Sequence, residues 1–169
     1  MIEDGTLVLA ESGAILEYLA GRYGGGTLSP AAGSAEHVRY LHWMHFAEGS
    51  LMNWLVMKLV FMTIPTQPMP FFVRPIARQL CAQVLKKLVD PNVGTALAFI
   101  EDHLGKHAWF AGEQLSIADF QMSFPVEAAL ARSGGHKRYP NMRAYQERME
   151  ARSAYRRALE KGGPVVMSA

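Results

Sequence analysis

The stretch Phe110-Ala111-Gly112-Glu113-Gln114-Leu115-Ser116-Ile117-Ala118-Asp119 decides how the rest of this chain is read. Ser116 and Asp119 stand three apart at the head of an apolar run, the spacing of a capping box. In that motif the hydroxyl accepts from the third helical N–H and the acid reaches back to the chain before the helix. The pair therefore predicts a buried helix start, and both residues are assigned to folding rather than to catalysis. Ile117, Phe120 and Phe124 should line one face of the helix that follows. Pro125 should kink it.

Upstream, the apolar pattern keeps a helical period for most of the chain. Ser34 predicts the start of a long helix running toward Met62, apolar around most of its circumference and so central in a bundle. Pro65, Pro68 and Pro70 must break it. Ile76, Leu80, Val84 and Leu88 follow at four-residue spacing, and Asp90-Pro91 reads as the cap and first position of a fresh helix. Val93, Leu97, Ile100 and Leu104 give that helix its stripe, and Gly105 ends it. Downstream, Pro140 opens a short helix with Met142, Tyr145 and Met149 on one face. A last helix spans about Ala154–Lys161, stopped by Gly162-Gly163-Pro164.

The first residues differ in kind. Asp4-Gly5 between Met1–Glu3 and Thr6–Leu9 predicts a tight β-hairpin. Ser12 then opens a helix with Ile15, Leu19 and Tyr23 a turn apart, ended by Gly24-Gly25-Gly26. A lone hairpin leaves its edges open, so further strands upstream or a partner chain are expected to complete it. The expected layout is a hairpin-and-helix unit over 1–24, a linker over 25–33, an all-helical domain over 34–163 and a tail over 164–169.

Composition excludes several classes. Of 169 residues, 50% are apolar and 19% charged, the profile of a globular protein with a real core. Nine of the 17 Lys and Arg residues fall between Arg132 and Lys161. With no aromatic platform beside them they read as a solvated helix face, not a nucleic-acid surface. The apolar stretch from Leu51 to Ile64 is too short to span a bilayer and carries Asn53 and Lys58. Cys81 is the only cysteine, which suits a reducing, cytoplasmic setting, and it reads as a quiet core thiol. His42, His45 and Glu48 recur at three-residue intervals but lack a fourth ligand, so they read as surface polarity rather than a metal site. His103 and His107 are separated by a helix-ending glycine.

Four stretches in order resemble the cytosolic glutathione transferases. Asp4–Leu19 resembles the last strand and third helix of that family's thioredoxin-like domain, and Phe110–Asp119 resembles its capping-box loop. Tyr139-Pro140-Asn141-Met142 and Arg152-Ser153-Ala154-Tyr155 resemble its late helices. The run Pro70-Phe71-Phe72-Val73-Arg74-Pro75 is similar to the fungal membrane-associated transferases and their bacterial relatives. The resemblance implies a mainly α fold: the transferase C-terminal helical bundle preceded by a truncated thioredoxin-like fragment.

It also implies chemistry. Glutathione is the co-substrate, no other cofactor is needed, and the thiolate attacks a small apolar electrophile. Glu11 and Ser12 would hold the glutamyl end of glutathione, the free N–H groups of the helix start helping to bind its carboxylate. Phe46, Met52, Asn53 and Leu55 would line the second-substrate pocket. No residue of the sequence takes the catalytic role by motif, so the catalytic residue is expected upstream of Met1. A homodimer is expected. The alternative reading is a non-enzymatic helical interaction module.

Overall fold

A computed structural model describes residues 1–132 and 138–163. The expected stop at Pro164 and the tail 164–169 lie outside the described residues. Strands β1 (Ile2–Asp4) and β2 (Leu7–Leu9) pair antiparallel, Ile2 opposite Leu9 and Asp4 opposite Leu7. The turn is Gly5-Thr6, with Gly5 at φ 63°, one residue later than the sequence suggests. Asp4 belongs to the strand, where its carboxylate accepts from the hydroxyls of Tyr18 (2.6 Å) and Tyr23 (2.5 Å). Both tyrosines lie on α1 (Ser12–Tyr23), so the hairpin is tied to the helix that follows it. That helix packs on the core through Leu16 and Ala20, while Leu19 and Tyr23 of the expected stripe face outward.

The linker is pinned at one point. The carbonyl of Leu28 accepts from the N–H of Ile117, one of the donors that a helix start leaves without a partner. Ser34 caps α2 (Ala35–Phe46) by accepting from His37 N at 3.0 Å. α2 runs without a break through a π-helical turn (Ala47–Met52) into α3 (Asn53–Thr63), and a 3₁₀ turn at Ile64–Thr66 ends the rod.

The return arm corrects one expectation. Asp90-Pro91 does not start a fresh helix: α4 (Arg74–Val84), a π-helical turn (Leu85–Val89) and α5 (Asp90–Leu104) form one continuous rod. A proline in an α-helix clashes with the carbonyl four residues back, and the wider π turn just before Pro91 relieves that clash. The buried residues of this rod also recur in steps of four or eight. Steps of four advance an α-helix by about 40° beyond a full circle, so such a stripe drifts off one face. A turn with one extra residue brings it back, and Cys81, Val89, Val93 and Leu97 are all buried. Ala47, Leu51 and Leu55 keep to the core across the other π turn in the same way.

The expected face of α4 is likewise corrected. Ile76 and Leu80 are 67% and 62% exposed, and it is Cys81 that packs inward.

α6 (Ile117–Arg132) runs through Pro125 and lies at the centre of the bundle, against α1, α2 and α7 (Pro140–Glu150). Ile117, Met122, Val126, Ala129 and Leu130 are buried, but Phe124 is largely exposed. Glu101 on α5 caps α7 from across the bundle, accepting from Asn141 N (2.8 Å) and Met142 N (3.0 Å). A Cβ at Gly105 would lie 3.0 Å from Asn141 Nδ2, so the glycine leaves room for that side chain. α8 (Ser153–Gly162) closes the described chain, with Gly163 at φ 77°. Among the described residues no helix is long and apolar enough to cross a membrane.

Candidate functional site

The start of α1 holds a strained stretch of backbone. Glu11 has φ 70° and ψ 121°, and among the described residues it is the only non-glycine with positive φ. Such a conformation costs on the order of 1–3 kcal/mol and persists where the surroundings enforce it, most often at binding sites. The first main-chain bond of the helix runs from Ile15 N to Glu11 O at 2.9 Å, leaving the N–H groups of Ser12, Gly13 and Ala14 ahead of it. Neither Glu11 nor Ser12 is buried. The Ser12 hydroxyl does not cap its own helix. It accepts from Gln121 Nε2 on α6 at 3.0 Å, across 109 residues of chain. The same nitrogen donates to Glu48 Oε1 at 3.1 Å, in the π turn after α2. Gln121 is 5% exposed. Three segments thus meet at an exposed helix N-terminus with two carboxylates close by. That arrangement can bind an anion at the helix end and a cation beside it.

Sequence reasoning did not find Gln121. Its one signal is a polar residue two positions after Asp119 in a helix otherwise apolar at its start.

Ser116 and Asp119 are both buried. The Asp119 carboxylate accepts from Ser116 N at 2.8 Å, the reach-back of a capping box, and from Phe110 N at 2.9 Å. The Ser116 hydroxyl donates to Asp119 Oδ2 at 3.0 Å instead of accepting from a helical N–H. Burial pushes the Asp119 carboxyl up to about 6, against the pull of these three donors. Tyr145 closes the cluster from α7, its hydroxyl donating to the main-chain oxygen of Asp119 at 2.8 Å. Phe110 is held at its other end too, with its carbonyl 3.0 Å from His103 Nε2. Burial lowers His103 to about 4, so at neutral pH it is uncharged and donates to that carbonyl.

The four residues expected around a second substrate are not brought together. Phe46 packs with His42, Trp43 and Phe99, and Met52 lies against the core. Asn53 spends its amide on the carbonyl of Gly49 at 3.1 Å. Leu55 is buried and lines a cleft of about 20 Å³ with Leu59, Met62 and Leu97. A larger cavity lies elsewhere, about 640 Å³ between the linker (Thr27–Pro30) and Arg39, His107 and Gln114. Arg39 is already engaged there, donating to Ala111 O (2.9 Å) and Glu36 Oε1 (2.8 Å).

Among the described residues no group of three His, Cys, Asp or Glu side chains is placed to hold a metal. His42 meets the rings of Trp43 and Phe99 edge-on, and Glu48 is turned to Gln121. Cys81 is buried in α4.

Residues 54–153 match the family model of the glutathione S-transferase C-terminal domain. The chain belongs to the glutathione S-transferase family. Glutathione S-transferase 3 of Schizosaccharomyces pombe is 35% identical over 161 residues, which are 95% of this chain and 66% of that protein. Glutathione S-transferase 1 of Saccharomyces cerevisiae is 25% identical over 158 residues, covering 91% and 67%. The chain thus spans about two thirds of the length of these curated relatives. A crystal structure of a glutathione S-transferase from Actinobacillus pleuropneumoniae superposes with a TM-score of 0.74 at 28% identity, over 99% of this chain and 71% of that one. A glutathione transferase homolog from Lodderomyces elongisporus, whose crystal structure holds two GSH per subunit, shares the fold with a TM-score of 0.71 at 20% identity. The match covers 95% of this chain and 70% of that one. The mainly helical bundle behind a hairpin and helix is therefore the transferase C-terminal fold with a fragment of its thioredoxin-like part.

Proposed function

We propose that this transferase chain anchors the glutamyl end of glutathione at Glu11 and Ser12. The complete protein then joins the glutathione thiolate to a small apolar electrophile, with glutathione as co-substrate and no further cofactor. The observation that supports this reading is the start of α1. There a strained Glu11, a serine hydroxyl turned away from its own helix and three N–H groups of the first turn sit together at the surface. A carboxylate fits the helix end, and an ammonium fits the acids beside it. No side chain of this sequence is assigned the activation of the thiol. On this reading 1–24 belongs to the thioredoxin-like unit, 34–163 forms the helical domain, and the protein works in the cytoplasm as a homodimer.

Titration calorimetry tests the anchor. Ser12→Ala should weaken glutathione binding by about tenfold, the loss of one hydrogen bond to a charged group. Equal affinity in that variant would sink the assignment. A second reading, a non-enzymatic interaction module, draws on the exposed apolar side chains between α3 and α4, where Phe71 and Phe72 are 85% and 63% exposed. Glutathione binding without turnover of an aryl halide by the endogenous protein would favour it.

A further inference from the structure

We infer that Gln121 is a positioning residue for glutathione, acting by restricting the directions in which the Ser12 hydroxyl points. The inference rests on the reading that Ser12 anchors the glutamyl carboxylate, and it adds what orients that anchor. The chemistry of the three partners determines the protons. A carboxylate only accepts, so the Gln121 atom 3.1 Å from Glu48 Oε1 must be the amide nitrogen. The same nitrogen lies 3.0 Å from Ser12 Oγ, so the hydroxyl accepts there with one of its lone pairs. Its own proton is then directed away from Gln121. Among the described residues that proton has no acceptor.

Free serine hydroxyls rotate, and a ligand that needs one orientation must freeze it. Here the buried amide has taken one lone pair before the ligand arrives, so the proton has two staggered positions left in place of three. Glu48 keeps the amide from flipping, because a reversed amide would set its oxygen against the carboxylate. The bundle thereby controls a contact made by the thioredoxin-like fragment, through one side chain on α6.

The test is calorimetry on the full chain with two probes: glutathione, and 4-aminobutyryl-cysteinyl-glycine, which is glutathione without the glutamyl carboxylate. Gln121→Met keeps the volume and removes the donor. It should bind glutathione about tenfold more weakly and bind the decarboxylated probe as the wild type does. Ser12→Ala should show the same pattern, and the double variant should be no weaker than Ser12→Ala alone. A Gln121→Met protein that binds glutathione as the wild type does, while Ser12→Ala is weakened, overturns the role of Gln121 and leaves the anchor standing. Equal weakening toward both probes also overturns it, since a packing defect does not distinguish them. A wild-type chain blind to glutathione, or a Ser12→Ala variant with full affinity, overturns the anchor and the inference together. Melting curves accompany each variant. If Gln121→Met does not fold, Gln121→Ala is read in the same way, and failure of both assigns Gln121 to packing and ends the proposal.

Discussion

Asp119 receives the N–H of Phe110 and His103 meets its carbonyl, so one peptide segment is held by two groups that titrate in opposite senses. Asp119→Ala should destabilise the bundle by about 3 kcal/mol, because two buried main-chain donors lose their acceptor. Glutathione affinity should be unchanged in the folded variant, and an unchanged melting temperature would refute the structural role. The pH dependence follows from the same residues. Native Asp119 keeps its proton up to about pH 6, whereas the unfolded carboxyl loses it near 3.8. Between those values the native state binds more protons, so rising pH favours unfolding. The margin of wild type over Asp119→Asn, a mimic of the protonated form, should therefore narrow by on the order of 3 kcal/mol from pH 4 to pH 6. His103 runs the other way. It stays neutral down to about pH 4 while the unfolded imidazole protonates below about 6.5, so its support is lost as pH falls through that window. Denaturant melts across pH 4–7 check both signs. Asp119 was legible in the sequence because capping has a fixed spacing. Gln121 was not, because its partners lie 109 and 73 positions away and no local rule joins them.

Helix boundaries show where local reading ends. The cap at Ser34, the helix opening at Pro140 and the stop at Gly105 are written in single residues and could be read directly. The two π turns could not, since each arises from how a whole rod packs. Pro91 was read as a start when it is an interior residue made tolerable by the turn before it. Pro91→Ala should accordingly change stability by less than about 1 kcal/mol, well short of the 3 kcal/mol an interior proline usually costs. Equilibrium unfolding would measure the difference, and a gain near the full amount would show that the π turn relieves nothing. Glu101 presents the opposite case, a cap supplied from another helix 40 residues away. Glu101→Ala should cost about 2 kcal/mol and open the first turn of α7 to hydrogen exchange before the rest of the bundle.

Across the whole molecule, apolar surface is distributed unevenly. The core is continuous from Ala20 to Met149, yet Phe71, Phe72, Ile76 and Leu80 form an uncovered apolar edge where α3 turns into α4. Patches of this kind promote association. The double substitution Phe71→Ser and Phe72→Ser should lower concentration-dependent association in sedimentation velocity and leave the melting temperature within about 2 °C, because neither ring contributes to the core. Association unaltered by both changes would place the contact elsewhere.

The two π turns also have a consequence at the level of the gene. A π turn is an α-helix carrying one residue more than its period requires. The loss of a single codon between 47 and 52 would remove that surplus and return the rod to regular winding, with everything downstream still in phase. The same loss in the middle of α5 would rotate all following side chains by about 100° and turn the core face outward. At 85–89 the surplus is already occupied in accommodating Pro91, so a codon lost there would not be silent. Length variation among relatives of this chain should therefore collect at the first turn and avoid the second.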